Sequence, residues 1–305
     1  MGISPYLQEL STHMGQEEVY QQAHDLLLKY LRVSVSSKQI ERLCNLYGEE
    51  LSAQLYRERL DQGRSTRVYS MVDGSMIFTR ETAWKEVKLG RVFEQQDHLE
   101  LDESKRGWIK DSQYVADIGS LSSFLDKMES IIPTSSDLVF IGDGAKWIWN
   151  WIESIYPDST QILDFYHAKE YVCEFAALHF ENKQERGQWI EQAQNWLLDD
   201  QLDLLLEEIC HVQTKNDIAL KAKQKLLTYF WNNYHRMQYK SFRDHGLLIG
   251  SGPIESAHRT VIQKRLKRSG QRWIDKNAQK MLNLRVAKLS NNWNLCIQLI
   301  RNKAA

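Results

Sequence analysis

The spacing of apolar residues changes twice along this chain of 305 residues, and these changes limit the folds open to it. Up to about residue 60, and again from residue 168 to about 244, apolar residues recur at helical spacing. Between residues 66 and 163, short runs rich in β-branched and apolar residues predict strands, with two helical segments among them. The order strands, helix, strand, helix, strand predicts a mixed α/β fold.

The same pattern divides the chain into four regions. Residues 1–64 are predicted to form a helical N-terminal region. Its helices, at residues 15–31 and 36–60, resemble a helix-turn-helix, although helical hairpins are common. Residues 65–167 are predicted to form the first part of the sheet-containing core. Residues 168–245 are predicted to be a helical insertion, and residues 246–305 a last core helix followed by basic helices.

Charge is distributed unevenly along the chain. The net charge is only −1, but residues 246–305 carry 12 Lys and Arg against Glu255 and Asp275. Such an asymmetry is expected where one segment contacts a polyanion, and a solvated basic helix would show it too. The sequence alone leaves both interpretations open.

Composition excludes other classes of protein. No apolar run approaches the roughly 18 residues that a membrane span needs, and the N-terminus has no basic flank with an apolar segment to act as a secretory signal. The four cysteines include no CxxC pair, so neither a zinc site nor a disulfide framework is indicated. We therefore expect a cytoplasmic protein without a membrane partner.

Three carboxylates lie at positions that could be explained either by metal binding or by local structure such as turns and helix caps. Asp73 lies in the apolar run SMVDGSMI, where a carboxylate is costly to bury unless it is paired or metal-bound, although an Asp-Gly turn also explains it. Asp143 follows the strand VFIG, where ligands gather and where helix caps also occur. Glu255 would occupy the third position of a helix, a common structural place for Glu. Their occurrence together, before a basic run, favours metal chemistry beside phosphate contacts, since Mg²⁺ prefers carboxylate oxygens.

Five longer runs carry a resemblance to a known family: VDGSMI, AWKEVKLGRVF, VFIGDGAKWIWNW, QILDFYHAKEY and GSGPIESAHRTVIQKRLKRSGQRW. They resemble DDE transposases of bacterial insertion sequences, specifically the ISKra group, over nearly the whole chain. The resemblance implies an RNase H-like mixed sheet core interrupted by a large all-helical insertion. It also implies metal-dependent DNA cleavage and strand transfer, with Mg²⁺ or Mn²⁺ as cofactor and a homo-oligomer assembled on DNA.

The resemblance also implies roles for particular residues. The catalytic and metal-binding acids of the family correspond to Asp73, Asp143 and Glu255. Asp164 and His167 match a D-x-x-H motif of related transposases, and an Asp at a helix start with a core His explains them equally well.

We expect the basic run to bind DNA through backbone phosphates, which position DNA without reading its sequence. The residues in question are Arg259, Lys264, Arg265, Lys267, Arg268 and Arg272. If Lys264, Arg265, Lys267 and Arg268 each contact one phosphate, replacing all four flattens the salt dependence of binding by up to about 3–4 log units.

Two other functions remain open for such a chain. One is an RNase H-like structure-specific nuclease, and the other is a non-catalytic, domesticated DNA-binding protein. A glycosidase with paired carboxylates is disfavoured, because a basic tract of this density serves no sugar site.

Overall fold

The computed structural model describes residues 3–56, 66–100, 107–134 and 137–304. It contains a five-stranded mixed sheet surrounded by helices, which confirms the predicted mixed α/β class. The chain forms two compact units, one of residues 1–137 with 253–305 and one of residues 138–252. The predicted boundary at residues 64 and 65 lies outside the described residues.

The first unit begins with three helices: α1 (Pro5–Glu17), α2 (Tyr20–Leu31) and α3 (Ser37–Leu55). Ser36 and Ser37 both precede the apolar pattern and could cap α3, and it is the side chain of Ser36 that does so, by accepting the backbone N–H of Gln39. The single helix predicted at residues 15–31 is wrong, because Glu18 has an extended backbone and separates α1 from α2. Residues 57–60, predicted to continue α3, lie outside the described residues.

The strands of the first unit form an antiparallel meander. These are β1 (Val68–Thr79), β2 (Ala83–Glu94) and β5 (Gln113–Asp117), with β2 in the centre, while β3 (His98–Glu100) and β4 (Gly107–Ile109) form a separate pair. Helix α4 (Leu121–Ile131) begins after Ser120, whose side chain accepts the N–H of Ser123, and it packs on β5 and β2. Gly90 permits this packing, because a Cβ there would lie 2.1 Å from the sulfur of Met128.

The second unit contains a parallel strand pair and a helical segment. Strand β6 (Leu138–Gly142), helix α5 (Lys146–Ile155) and strand β7 (Thr160–Leu163) follow one another, and the two strands pair in parallel. The helices after them, predicted from their apolar spacing, are α6 (Phe165–His179), α7 (Lys183–Leu198), α8 (Leu202–His211), α9 (Asp217–Asn233) and α10 (Tyr239–Asp244).

The last helical region begins with α11 (Gly252–Ala257), continues as a π-helical segment (His258–Gln263) and ends in α12 (Lys264–Leu266). Helices α13 (Asp275–Leu289) and α14 (Trp293–Ala304) complete the first unit. Helix α13 packs closely on α3, because Gly48 leaves room for the carbonyl of Lys280 and its own carbonyl accepts a 2.8 Å bond from Asn283. Within the described residues, no helix is long and apolar enough to cross a membrane.

Candidate functional site

Asp73 lies on β1 at the point where the strand changes from buried to partly exposed residues. Its side chain is 24% exposed, and its Oδ1 accepts the N–H of Gly74 at 2.6 Å. Its Oδ2 lies 2.9 Å from Nε2 of His258. Asp73 is therefore held in place while its carboxylate remains accessible from outside.

The sequence interpretation did not identify His258 as part of this site. The imidazole is 3% exposed, and neither of its buried ring nitrogens makes a hydrogen bond, so its approach to Asp73 is an unaligned contact rather than a bond. A buried polar group without a partner is costly, which is why such groups mark sites that require an explanation. The available signal was its position, three residues after Glu255 in a predicted helix.

Glu255 lies on α11, and its side chain is exposed. A buried arginine on β2, Arg91, holds the start of this helix by donating a 2.7 Å hydrogen bond to the carbonyl of Pro253. Glu255 and His258 are separated by three positions, so they are neighbours on the helix surface. Because His258 contacts Asp73, the helix of Glu255 lies against the strand of Asp73. The helix then widens into a π-helical segment, a rare geometry that is frequent at functional sites.

Asp143 lies in the second unit, directly after β6. Its Oδ1 accepts the N–H of Ala145 at 3.0 Å, and Ala145 rather than Asp143 is the N-cap of α5. The alternative interpretation as a helix cap is therefore wrong in detail, because the carboxylate closes the turn before the helix. The N–H of Gly144 donates to the phenol oxygen of Tyr229 at 3.4 Å. Burial, the stacked ring of Tyr171 and then Asp143 raise the pKa of Tyr229.

Asp164 is a fully engaged helix cap. It is 1% exposed and accepts hydrogen bonds from the backbone N–H groups of Tyr166 and His167 at the start of α6. The N–H and hydroxyl of Ser251 also donate to it, at 3.0 and 2.9 Å. His167 is half-buried and lies 3.4 Å from Glu170. The two D-x-x-H residues are thus part of a helix start in the second unit, with Asp164 in the cap role and His167 outside the core.

Asp73 and Glu255 belong to the first unit and Asp143 to the second. The donor chemistry suits a divalent cation, because carboxylate oxygens are the ligands that Mg²⁺ prefers. However, among the described residues no group of three or more His, Cys, Asp or Glu side chains is arranged to hold a metal ion. The convergence of all three acids on one metal site remains a prediction.

The basic residues of the last helical region differ widely in their surroundings. Arg259 and Arg272 are exposed. Lys264 forms an ion pair with Glu17, and Arg268 forms one with Glu18 at 2.7 Å. Of these four, Arg259 and Arg272 offer their charge without first giving up a carboxylate partner among the described residues.

The prediction that Arg265 contacts a DNA phosphate is wrong, because its side chain is buried. Its guanidinium is 1% exposed, donates a 3.0 Å hydrogen bond to the carbonyl of Gly15, and lies between the rings of Tyr20 and Trp273 at 4.8 and 5.1 Å. Burial lowers the pKa of Arg265. This arginine joins the π-helical region to the N-terminal helices and does not face solvent.

Lys267 lies close to Asp73. Its Nζ donates a 2.6 Å hydrogen bond to the hydroxyl of Ser75, two residues after Asp73 on β1. Burial lowers the pKa of Lys267, and the charge of Asp73 opposes that effect. The ammonium group of Lys267, which follows α12, thus lies against β1 near the carboxylate of Asp73.

Comparison with known proteins identifies no family. No protein-family model matches the chain, and no curated protein matches it. One solved structure with a similar fold is the Drosophila P element transposase strand transfer complex, with a TM-score of 0.45 and 8% sequence identity. The similarity covers 96% of this chain and 93% of that one. At this identity and TM-score it establishes neither a family nor an activity.

Proposed function

We propose that the protein is a DDE-type transposase that cleaves DNA at the ends of an insertion sequence and transfers the strand to a target. The observation that carries the proposal is the packing of the helix bearing Glu255 against the strand bearing Asp73, joined by the 2.9 Å contact between His258 and Asp73. The chain order of three antiparallel strands, a helix, a strand, a helix and a parallel strand supports the RNase H-like core. The motif resemblance supplies the third acid, Asp143.

Under this proposal Asp73, Asp143 and Glu255 would hold Mg²⁺ or Mn²⁺, and the metal would supply activation of the attacking oxygen and stabilisation of the leaving one. The chain's own groups orient the substrate. Lys267, fixed by Ser75 beside Asp73, places a cation where a phosphate would approach the acids. Arg259 and Arg272 are exposed and would contact the phosphates that flank it. We further propose a homo-oligomer on DNA, in the cytoplasm.

The proposal is tested by replacing each acid in turn. Asp73→Ala, Asp143→Ala and Glu255→Ala are each expected to reduce metal-dependent nicking of a transposon-end duplex at least about 100-fold, because a lost ligand removes transition-state stabilisation. Gel-shift affinity for the same duplex should change little, since phosphate contacts remain. Glu174→Ala, which removes an exposed carboxylate on α6, is the matched control and should retain full activity. Full activity in any of the three variants would remove that residue from the catalytic set.

A pre-cut end separates this proposal from its alternatives. A transposase joins a pre-cut 3′ end to target DNA, whereas a structure-specific nuclease cuts but does not join. A non-catalytic DNA-binding protein would bind the ends and show no metal-dependent nicking. Either of the last two results, obtained with the wild-type protein, would overturn the proposed function.

A further inference from the structure

A groove opens beside the hairpin that joins β1 to β2 in the first unit. Its volume is about 340 Å³, within the range that holds small ligands. We call it the hairpin groove, and its walls include Met76, Phe78, Trp84, Lys267, Arg268 and Arg272. A neighbouring cavity of about 460 Å³ shares Phe78 and Arg272 with it, so the exposed Arg272 side chain lines both.

The apolar wall of the hairpin groove is unusually exposed. Trp84 is 63% exposed and Met76 is 43% exposed. Trp84 is paired in register with Phe78, and the two rings make an edge-on contact at 5.4 Å. Because 63% of Trp84 remains exposed beside this contact, its indole is accessible to a further flat group.

The opposite wall of the groove is cationic. Lys267, Arg268 and Arg272 line it, and Arg272 also lies 5.5 Å from the ring of Phe78. Because Arg268 is already paired with Glu18, the charge available to a ligand comes from Lys267 and Arg272. No Asp or Glu is among the described residues that line the groove. The nearby Glu86 of β2 pairs with Lys88 at 2.9 Å. The groove therefore combines an open aromatic face with an excess of positive charge.

This combination fits unpaired DNA. Single-stranded nucleic acid is bound by cationic grooves that follow the phosphates and by aromatic side chains on which bases stack. In a duplex the base faces are covered by their neighbours, so an exposed indole gains little from it. We infer that the hairpin groove binds an unpaired segment of DNA, with a base stacked on Trp84 and phosphates at Lys267 and Arg272.

The inference deepens the proposed function, on which it rests for the identity of the nucleic acid. Phe78, the cross-strand partner of Trp84, follows Asp73 by five residues on β1, which is about 16 Å along a strand. Lys267, bonded to Ser75, lies between the two. A strand that leaves the acidic site along β1 would reach the groove once it is separated from its complement.

The test measures binding without catalysis. Fluorescence anisotropy in EDTA compares a 20-nucleotide oligothymidylate with a duplex of about equal length, using the full chain. Trp84→Ala is expected to weaken binding of the single strand about 5- to 150-fold and to leave the duplex affinity nearly unchanged, because one stacked base is lost. Trp84→Phe should keep most of the affinity. Arg272→Gln should reduce the salt slope for the single strand by about 0.7.

Trp108→Ala is the matched control, because Trp108 lies on β4 of the same unit and is 51% exposed. It should leave single-strand affinity unchanged, and thermal unfolding should show all variants to be folded. Equal weakening of both DNA forms by Trp84→Ala, or no weakening of either, would overturn the inference. If Trp84→Ala changed the sedimentation coefficient of the protein but not its DNA affinity, the inference would also be overturned, since the groove would then be an interface between copies.

The inference and the proposed function fail separately. The substitutions of the acids are expected to abolish nicking but not to change single-strand binding in EDTA. The nicking assay therefore tests the proposed function, and the binding assay tests the inference. A wild-type protein that never nicks DNA but loses single-strand preference in Trp84→Ala would overturn only the proposed function.

Discussion

Replacing Arg259, Lys267 and Arg272 together by glutamine is expected to flatten the salt dependence of duplex DNA binding. These three are exposed at the protein surface, and none is ion-paired to a carboxylate in the described residues. A cation that neutralises a phosphate releases condensed counterions, so each such contact adds to the dependence of affinity on salt.

The magnitude follows from counting the cations that can reach a phosphate. Each contact contributes about −0.9 to the slope of log affinity against log salt, so the triple variant should lose up to about 2.7 units of slope. The sequence alone gives up to about 3–4 units for Lys264, Arg265, Lys267 and Arg268. In the structure only Lys267 of that set is exposed without a carboxylate partner, which reduces the expected loss for the same four residues to about 1 unit.

The assay is a duplex-binding titration at several salt concentrations between 50 and 200 mM, about the range in which such slopes are resolved. The double variant Lys264→Gln with Arg268→Gln is the control, because both cations already pair with acidic residues of the N-terminal helices. It should change the slope by much less than the triple variant. If the control flattens the slope as strongly as the triple variant, the ion pairs do not withhold these charges from DNA and the argument is wrong.

Three further outcomes are expected. Arg265→Met should lower the free energy of unfolding by about 2–4 kcal/mol in urea without changing the salt slope, because it removes a buried hydrogen bond and two ring contacts. Asp164→Ala should cost about 2–3 kcal/mol and increase amide hydrogen exchange at the start of α6, since it removes the cap and both bonds from Ser251. Burial raises the pKa of Glu17, but the hydrogen bond from Lys264 and a nearby arginine outweigh it and lower this pKa from 4.5 to about 2. The stability from this carboxylate is therefore complete above pH 4.5 and is lost as the pH falls towards 2, a dependence that Lys264→Gln should weaken in urea midpoints measured over that interval.

The local sequence pattern was sufficient to predict most of the strands and helices. The strand runs around Asp73 and Asp143 form β1 and β6, and the caps Ser36 and Ser120 begin the helices that follow them. These strands and helices are indicated by alternation of apolar and polar residues, by apolar runs and by side-chain caps. Each of these signals lies within a few neighbouring residues, so it can be recognised without knowing the tertiary structure. The strand β5 is harder to predict, because five residues carry few positions of alternation.

The helix break at Glu18 could not be predicted from local spacing. Residues 15–31 keep helical spacing across it, so no local signal separates α1 from α2. The break places Glu17 and Glu18 against Lys264, Arg268 and other cations far along the chain. Ion pairs with residues so far along the chain cannot be predicted from a local window of sequence.

By itself the sequence determined the fold class and most of the elements, because these rest on residue type and short-range periodicity. The three candidate acids come from residue type together with the motif resemblance. Only the tertiary structure decided which basic residues face solvent. Lys264 and Arg265 are adjacent and chemically alike in the sequence, yet one is exposed and the other is 1% exposed between two aromatic rings. The tertiary structure also brought His258 to Asp73. Burial and contact of this kind depend on which distant segments pack together, and that information belongs to the folded chain as a whole.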